Sequence, residues 1–371
     1  MTRERWRVAN VRGRGPLSAL EQRARELLDP VYYDYIAGGA GEEITLADNE
    51  RAFRRFALLP RVLRDTTGRS IATDLLGDPS GMPVFVSPTA FHRLAHPDGE
   101  RASARGVAAA GLVMIASMAG TVAIGEVTAA AREVDRDARV WFQLYLHPEP
   151  EVTEELVRRG ERAGCTALVV TVDSPVRGRR FREDRHGFHD LPAGMYAENM
   201  RGLPGTTGNG VRSIAMSADF TWDHLHRLRE LTRLPLVLKG ILHPEDARLA
   251  VEHGADAIVV SNHGGRQLDT VSATLNALPA IAAAVGGRIP VYLDGGVRRG
   301  SDVVLALALG ATAVGVGRPV LWGLAVGGDK GVTDVLDILR SEFEHTLTLC
   351  GVAELSDLNA DLVTARGAAR C

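Results

Sequence analysis

Eight short apolar runs, rich in β-branched residues, recur along the chain and constrain its fold more than any other feature. In order they are MPVFVSP (from Met82), LVMIAS (from Leu112), VWFQLYL (from Val140), ALVVTVD (from Ala167), LPLVLKG (from Leu234), AIVVSN (from Ala257), IPVYLDG (from Ile289) and ATAVGVGR (from Ala311). Their apolarity is nearly continuous rather than alternating, which is typical of parallel strands buried on both faces. We therefore predict eight parallel strands.

The stretches between these runs carry the period of amphipathic helices. Examples are EPEVTEELVRRGERAG, HPEDARLAVEHGA and SDVVLALALGA, which end at or near a glycine, as helices often do. Eight βα units favour a (β/α)₈ TIM barrel over an open doubly wound sheet, which often has a G-x-G-x-x-G turn after its first strand. That turn is absent here. The predicted fold is therefore of the α/β class, a (β/α)₈ barrel.

Three additions are predicted to complete a single domain, 1–371. Segment 1–80 contains LSALEQRARELLDPVYYDYIAGGAG, an amphipathic helical pattern interrupted by a proline, and is predicted to form a helical cover. The barrel core is assigned to 81–330. Within it, segment 179–221 follows the fourth strand, is rich in Gly, Pro, Asn and Met, and is predicted to be a mobile lid. Segment 331–371 is predicted to add the C-terminal helices.

The composition excludes several classes of function. Net charge is −3 and the basic residues are scattered except in RGRRFREDR (Arg177–Arg185), so nucleic acid is not expected as a partner. Cys165, Cys350 and Cys371 lack C-x-x-C spacing, which argues against disulfides and a metal site and favours the cytoplasm. Because no apolar segment is long enough for a signal peptide or a membrane span, no membrane association is expected.

The sixth apolar run ends in polar residues that suit acid–base chemistry. Segment Ala257–Asp269 reads AIVVSNHGGRQLD and presents Asn262, His263 and Arg266 at the exit of the strand. Imidazole accepts a proton near neutral pH, and guanidinium binds a carboxylate through two parallel hydrogen bonds. The segment therefore indicates a small acid with a removable proton as substrate. The alternative is that these residues only cap a turn formed by the two glycines.

Polar residues also follow the other predicted strands, at the end where barrel enzymes carry their chemistry. The polar strand ends are Ser87, Thr89, Ser117, Gln143, Tyr145, Thr171, Asp173, Lys239, Asn262, His263, Asp294 and Arg318. Buried polar groups without partners cost about 1–3 kcal/mol each, so we expect a ligand among them. A polar network that satisfies itself is the alternative.

The last two loops indicate a phosphate-bearing cofactor. Loops DGGVRRGSD (Asp294–Asp302) and GVGRP (Gly315–Pro319) offer backbone N–H groups and arginines after the seventh and eighth strands, where barrels often bind phosphate. Lys239 is then either a Schiff-base nucleophile, as in a class I aldolase, or a cation beside a ring that becomes anionic on reduction, as a flavin does. Asp173 and His263 are the candidate carboxylate–base pair.

Six motifs in this order resemble the FMN-dependent α-hydroxy-acid oxidase and dehydrogenase family, whose members oxidise glycolate, lactate or mandelate. They are YDYIAGGA, FQLY, TVDSPVRGRR, the lysine of LPLVLKG, SNHGGRQLD and LDGGVRRGSDV. The resemblance runs from about Leu17 to beyond Arg318. It implies FMN as cofactor, oxidation of an L-2-hydroxy acid to the 2-oxo acid, and transfer of electrons to O₂, giving H₂O₂, or to another acceptor. It also implies a homotetramer or octamer.

The resemblance assigns roles to individual residues. His263 is the implied base and Asp173 its partner, while Arg266, Arg180 and Tyr35 bind the substrate carboxylate and Tyr145 the hydroxyl. The implied contacts of the flavin ring and ribityl chain are Thr89, Ala90, Ser117, Gln143, Thr171, Lys239 and Ser261. The implied contacts of the ribityl end and phosphate are Asp294, Gly296, Arg298, Gly317 and Arg318.

Two positions depart from the glycolate-oxidising members. Ala119 stands where they carry a bulky tryptophan, and Arg177 stands where they carry an aliphatic residue. We therefore predict a bulky, aromatic substrate such as mandelate, with Arg177 either binding a second polar group or extending into solvent. The alternatives are a dehydrogenase with another acceptor, a small aliphatic substrate, an aldolase acting through Lys239, and a flavin-binding protein without activity.

Overall fold

The computed structural model describes residues 15–366; the charged start of the sequence and Cys371 lie outside this range. Three helices come first: α1 (Pro16–Leu27), α2 (Pro30–Ala37) and α3 (Ile44–Arg54). Both α1 and α2 begin with proline, which sacrifices no hydrogen bond because the first N–H groups of a helix have no partner within it. Asp29 caps α2 by accepting from Val31 N at 2.8 Å.

Segment 1–80 also contains strands, where the sequence pattern predicts a helical cover. They are β1 (Phe56–Leu58), β2 (Thr73–Leu75) and β3 (Asp78–Ser80). β2 and β3 form an antiparallel hairpin, and Leu75 packs among the innermost barrel residues. Asp78 accepts hydrogen bonds from Trp141 Nε1 at 2.7 Å and Thr166 Oγ1 at 2.6 Å. The hairpin was not foreseen because its strands, three residues each, are too short to show a period.

The eight predicted strands form a closed parallel barrel, as expected. They are β4 (Val84–Val86), β5 (Val113–Ser117), β6 (Val140–Leu144), β7 (Leu168–Thr171), β8 (Leu236–Ile241), β9 (Ala257–Val260), β10 (Val291–Asp294) and β11 (Ala313–Val316). Each strand pairs with its neighbours in sequence, and β11 pairs with β4 to close the barrel. Each predicted apolar run therefore contains one barrel strand.

The remaining helices lie outside the barrel or extend its loops. They are α4 (Gly99–Ala109), α5 (Ile124–Val134), α6 (Pro150–Arg162), α7 (Phe181–Arg185), α8 (Trp222–Leu231), α9 (Pro244–Glu252), α10 (Thr274–Val285), α11 (Gly300–Ala308) and α12 (Arg318–Leu349). α12 is kinked at Gly327 and Gly328, where the backbone is not helical. None of the helices formed by residues 15–366 is long and apolar enough to cross a lipid bilayer.

The C-terminal segment differs from the predicted run of helices. The second half of α12 is followed by two short 3₁₀ turns and a strand, β12 (Val363–Ala365). This strand pairs antiparallel with β1, so the C-terminal end of the described chain meets the strand that follows α3. The pairing joins residues about 300 positions apart in sequence, which no local pattern reveals.

Alternating strand residues divide the core into two parts. One set points into the barrel and includes Phe85, Trp141 and Tyr292, whose rings lie 5.6–6.4 Å apart. The other set packs outward against the helices in a much larger cluster. The barrel interior is thus filled by side chains, which leaves the carboxyl ends of the strands as the place for a ligand.

Segment 179–221 contains little regular structure beyond α7. It holds a 3₁₀ turn at Glu198–Met200 and one antiparallel bridge between Arg201 and Val211. Asn199 anchors the segment to the barrel by accepting from Ile124 N at 2.7 Å. Its mobility stays a prediction.

Candidate active site

A cavity at the carboxyl ends of the strands collects most of the predicted cofactor and substrate contacts. Its lining includes Tyr35, Thr89, Ala90, Ser117, Ala119, Gln143, Tyr145, Thr171, Arg180, Lys239, His263, Arg266, Asp294, Gly296, Arg298, Gly317 and Arg318. We call it the inner cavity. The predicted residues Asp173, Arg177 and Ser261 do not line it. Asp173 and Ser261 instead hydrogen-bond to His263 and Lys239, which do.

His263 and Asp173 lie together as a base and its carboxylate partner. His263 Nδ1 is 2.8 Å from Asp173 Oδ1, to which Ser174 Oγ also donates at 2.8 Å. Because a carboxylate only accepts, Nδ1 carries the proton and Nε2 keeps its lone pair. Tyr145 Oη lies 3.5 Å from Nε2. Burial lowers the pKa of His263, although Asp173 opposes the shift, so the imidazole is neutral at pH 7.

The turn that presents His263 has an unusual backbone. φ is 59° at His263, 63° at Gly264 and 74° at Gly265, so three consecutive residues are left-handed. Glycine adopts this region without cost, whereas the histidine must be held there by its surroundings. Gly265 N donates to Asn262 O at 3.0 Å, and the side chains of Asn262 and Asn49 exchange hydrogen bonds of 2.8 and 2.9 Å. The glycines therefore do form a turn, and this turn directs the base into the cavity.

Lys239 is buried at the end of β8, with 4% of its surface exposed. Its Nζ donates to Ser261 Oγ at 2.9 Å and lies 3.5 Å from Asp294 Oδ2. At Gly240 the strand register shifts and φ is 113°. A Cβ on Gly240 would lie 2.6 Å from the Cβ of Asp173, closer than side-chain carbons approach. Glycine at this position therefore allows Asp173 to sit beside β8.

Arg266 and Arg180 lie next to each other in the wall of the inner cavity. Arg266 Nη1 donates to Tyr35 O at 2.7 Å and Gly38 O at 2.9 Å, and its guanidinium lies 5.0 Å from the centre of the Tyr35 ring. Both arginines donate to Glu183, from Arg266 Nη2 at 3.2 Å and from Arg180 Nη1 at 3.1 Å. Burial, and then the nearby Arg180, lowers the pKa of Arg266 to about 10. Arg266 is therefore still a cation at pH 7.

Arg177 has a partner that the sequence analysis did not consider. Its guanidinium donates to Glu183 Oε2 at 2.7 Å, and about half of its side chain is exposed. The structure pairs Arg177 with an acid of its own segment and also places it in the wall of a second cavity, described below. A polar contact to the substrate and extension into solvent both stay predictions. In the sequence, Glu183 lies within the basic run RGRRFREDR and carries no signal of this role.

The arginines of the two glycine loops are held by protein groups. Arg298 Nη2 lies 3.0 Å from Oε1 of Glu50 in α3 and forms an ion pair with it. Arg318 donates to the carbonyls of Ile36 at 3.0 Å, Gly38 at 2.7 Å and Gly264 at 3.0 Å. The Arg318 guanidinium thus connects the end of α2 to the turn after β9, a contact that the predicted phosphate role does not include. Both residues line the inner cavity, and their contact to phosphate stays a prediction.

Two buried polar atoms at the inner cavity have no partner among residues 15–366. Gln143 Oε1 accepts from Ser117 Oγ at 2.8 Å, which leaves Gln143 Nε2 unpaired. Asp294 Oδ2 accepts from Ser87 Oγ at 3.2 Å, which leaves Asp294 Oδ1 unpaired. Such atoms cost about 1–3 kcal/mol each, so the cavity is suited to a polar ligand. With the Lys239 ammonium nearby, these groups fit the ring carbonyls and ribityl hydroxyls of FMN.

Comparison with known proteins supplies the family. The model of the FMN-dependent dehydrogenase family matches residues 24–365. This chain belongs to that family. The FMN cofactor and the oxidation of 2-hydroxy acids, both predicted from the sequence, are thereby confirmed.

Relatives of this FMN-dependent dehydrogenase carry several substrate names. An L-lactate oxidase from Nostoc sp. is 45% identical over 352 residues, which cover 92% of this chain and 96% of that protein. The 2-hydroxyacid oxidase 2 of Rattus norvegicus is 42% identical, with 94% and 97% covered. A crystal structure of mandelate oxidase with (S)-2-phenylpropionate is 40% identical and superposes with a TM-score of 0.85 over 94% of this chain and 98% of that one. The TIM barrel is confirmed by this match.

Sequence reasoning missed several residues that hold the site of this FMN-dependent dehydrogenase together. Besides Glu183, they include Asn49, Ser174, Gln267 and Asp269. Gln267 Nε2 donates to the carbonyl of Asp173 at 3.3 Å, and Asp269 accepts from the first N–H groups of α3 at 2.9 and 3.4 Å. Two of the motifs that carry the family resemblance, TVDSPVRGRR and SNHGGRQLD, contain Ser174, Gln267 and Asp269. Their place in these motifs was the only sign in the sequence that they belong to the site. Asn49 lies in α3 and carried no signal.

A second cavity, of about 780 Å³, adjoins the inner one; we call it the outer cavity. The two share the lining residues Tyr35, Ala90, Ala119, Tyr145 and Arg180. Segment 179–221 contributes the apolar side chains Phe188, Leu191, Met195, Ile214 and Met216 to its wall. This wall could not be predicted from the sequence, because the segment shows no period that would indicate which side chains face inward.

Proposed function

We propose that this FMN-dependent enzyme oxidises L-2-hydroxy acids with a bulky, aromatic side chain, as in mandelate, to the 2-oxo acids, and passes the electrons to O₂ to give H₂O₂. The observation that carries the proposal is the outer cavity, which adjoins the inner one and shares Ala119 with it as a lining residue. Its apolar wall suits an aromatic ring, whereas the methyl group of lactate would cover little of it.

The substrate carboxylate is bound by the guanidinium groups of Arg180 and Arg266. Both line the inner cavity, and only 11% and 15% of their side chains are exposed. Desolvated guanidinium groups bind a carboxylate strongly and with a defined orientation. Tyr35 lines the same wall and is the third proposed contact. This anchor directs the hydroxyl-bearing carbon toward His263.

His263 is the proposed base. Its Nε2 keeps a free lone pair because Nδ1 is committed to Asp173, so Nε2 accepts the proton that leaves the substrate. The Asp173 carboxylate stabilises the resulting imidazolium and fixes the orientation of the ring. Tyr145, 3.5 Å from Nε2, contacts the substrate hydroxyl.

FMN supplies the two-electron acceptor when it is bound. The residues proposed to hold its ring and ribityl chain are Thr89, Ala90, Ser117, Gln143, Thr171, Lys239, Ser261 and Asp294. The residues proposed for its phosphate are Gly296, Arg298, Gly317 and Arg318. Lys239 contributes positive charge, and the buried pair with Asp294 keeps this charge within the cavity wall.

The structural neighbours support an aromatic substrate. Mandelate oxidase is found with phenyl-bearing ligands, including (S)-mandelic acid in a variant that is 40% identical to this chain. The L-lactate oxidase is similar to a comparable degree, so the name of a relative does not determine the substrate. The small side chain at Ala119 and the apolar wall of the outer cavity favour the larger acid.

Cellular context and assembly are part of the same proposal. Cys165 and Cys350 are both free and buried, which is compatible with the reducing cytoplasm. We propose a cytoplasmic homotetramer or octamer, in keeping with the resemblance, and light scattering on the purified protein measures the subunit number. Segment 179–221 is proposed to act as a lid, because it forms one wall of the outer cavity.

The test of this function is the visible spectrum of the purified holoenzyme without oxygen, before and after addition of mandelate, 4-hydroxymandelate, lactate or glycolate. We expect mandelate or 4-hydroxymandelate to bleach the oxidised-flavin band fastest, and admission of air to restore it with formation of H₂O₂. Faster bleaching by glycolate or lactate contradicts the aromatic substrate. Bleaching that air does not reverse contradicts O₂ as acceptor.

A further inference from the structure

We propose that Glu183 is a positioning residue that holds Arg180 and Arg266 in the arrangement that binds the substrate carboxylate. The inference rests on the proposed function and adds a residue to its binding machinery. Glu183 lies in α7, and 3% of its side chain is exposed. It does not line the inner cavity, whereas both arginines do. It therefore acts on the substrate through them.

One carboxylate serves three guanidinium groups. Glu183 Oε1 accepts from Arg180 Nη1 at 3.1 Å and Arg266 Nη2 at 3.2 Å, while Oε2 accepts from Arg177 Nη2 at 2.7 Å. Three positive charges and one negative charge leave a net charge of +2 on this group. The substrate carboxylate therefore still meets an excess of positive charge. Glu183, which lies outside the inner cavity, holds the guanidinium groups that carry this charge in place.

Arg180 depends on Glu183 more than Arg266 does. Arg266 is also held by the carbonyls of Tyr35 and Gly38, at 2.7 and 2.9 Å. Apart from its hydrogen bonds to Glu183, the Arg180 side chain makes one hydrogen bond within the described chain, from Nε to Arg266 O at 3.1 Å. Without the carboxylate between them, two buried cations would repel each other, and the less anchored guanidinium would move toward solvent.

The helix itself has other attachments. Arg182 donates to Glu43 at 2.5 Å and to Asp34 at 3.4 Å, and His186 lies 2.8 Å from the second oxygen of Asp34. These contacts fix α7 against the N-terminal helices independently of Glu183. A change at Glu183 is therefore expected to disturb the two arginines before it disturbs the helix.

The test compares Glu183→Gln with Glu183→Asp and with the control Asp184→Asn, which removes an exposed carboxylate from the same helix. Each holoenzyme is titrated with phenylacetate and with the neutral phenylacetamide by the change in flavin absorbance, and kcat and KM are measured with mandelate. In Glu183→Gln we expect Kd for phenylacetate and KM to rise roughly tenfold or more, equivalent to about 1.4 kcal/mol. We expect kcat to change less than KM, phenylacetamide binding to be unchanged, Glu183→Asp to be intermediate and Asp184→Asn to match the wild type.

Two results overturn the proposal: an unchanged Kd for phenylacetate in Glu183→Gln, or an equal loss of phenylacetate and phenylacetamide binding. If Glu183→Gln does not retain FMN, the same two ligands decide the matter in Glu183→Asp. Failure of the proposed function is distinguishable, because it appears in the wild-type enzyme as binding of phenylacetate without reduction by any hydroxy acid.

Discussion

At the scale of single residues, His263 depends on one carboxylate for both its orientation and its basicity. Asp173 is 2.8 Å from Nδ1 and is the main group that opposes the lowering of the histidine pKa by burial. The sequence suggested this pair because both residues follow strands of one barrel. It could not give the distance, since the two positions are 90 residues apart.

Replacement of Asp173 by asparagine tests the pair. We expect kcat to fall by about 100- to 10,000-fold with FMN still bound, because the imidazole loses its orientation and the stabilisation of its protonated form. The base acts when neutral, so kcat/KM rises with pH through the pKa of His263, which lies below its usual 6.5. Without the carboxylate that raises this pKa, the acidic limb moves to lower pH. An acidic limb at higher pH in Asp173→Asn contradicts the assignment.

Gly240 offers a second test at this scale. In Gly240→Ala the new Cβ would lie 2.6 Å from the Cβ of Asp173, so the carboxylate has to move away from His263. We expect kcat to fall roughly tenfold or more, since small displacements of a catalytic group are costly. Gly254→Ala is the matched control, because φ is also positive there, at 77°, but a Cβ meets no atom within 4 Å. Equal effects of the two substitutions on kcat would show that strain alone is responsible.

At the scale of elements, the hairpin β2–β3 closes the end of the barrel opposite the active site. Leu75 enters the barrel interior, and Asp78 accepts from Trp141 and Thr166. The barrel strands could be predicted because a buried parallel strand is apolar along its whole length. The hairpin could not, because its stability comes from contacts with the barrel rather than from its own residues.

Asp78→Asn is therefore expected to change stability and spare catalysis. Trp141 and Thr166 both donate to Asp78 Oδ2, while Oδ1 lies 3.5 Å from Arg139 Nε. Asparagine keeps one acceptor oxygen but loses the negative charge that pairs with Arg139. Urea unfolding of the holoenzyme is expected to show a loss of about 1–3 kcal/mol, with kcat and KM unchanged. Asp137→Asn, at an exposed position on the loop before β6, is the control and is expected to have no effect. A loss of activity before unfolding contradicts a purely structural role for Asp78.

At the scale of the whole molecule, the outer cavity forms where the barrel and segment 179–221 meet. The barrel carries the proposed base His263, and segment 179–221 carries Arg180, a proposed carboxylate contact, together with the apolar wall of the outer cavity. Ala119 lines both cavities. We therefore expect the size of this side chain to limit how far a substrate can extend.

Ala119→Trp is expected to reverse the preference for large substrates. The indole would occupy space at the wall that the two cavities share, so the phenyl group of mandelate would lose its aromatic contacts and meet a steric clash. We expect kcat/KM for mandelate to fall by roughly 100-fold or more. The methyl group of lactate does not need this space, so kcat/KM for lactate is expected to change little and is the internal control. If kcat/KM falls equally for mandelate and lactate, the substitution disturbs FMN or His263 rather than the space for the substrate side chain.

The sequence by itself determined the barrel and the chemical character of the site, and the resemblance of its motifs to a known family implied the cofactor. Buried parallel strands are apolar throughout, and their polar ends mark the reactive face, so both features can be read locally. Only the tertiary structure decided how the site is held: the pairing of Asn49 with Asn262, the left-handed backbone at His263, and the burial of Glu183 among three arginines. These features join residues from separate segments. The energies of these contacts depend on distances and burial in the folded protein, and the order of residues along the chain does not reveal either.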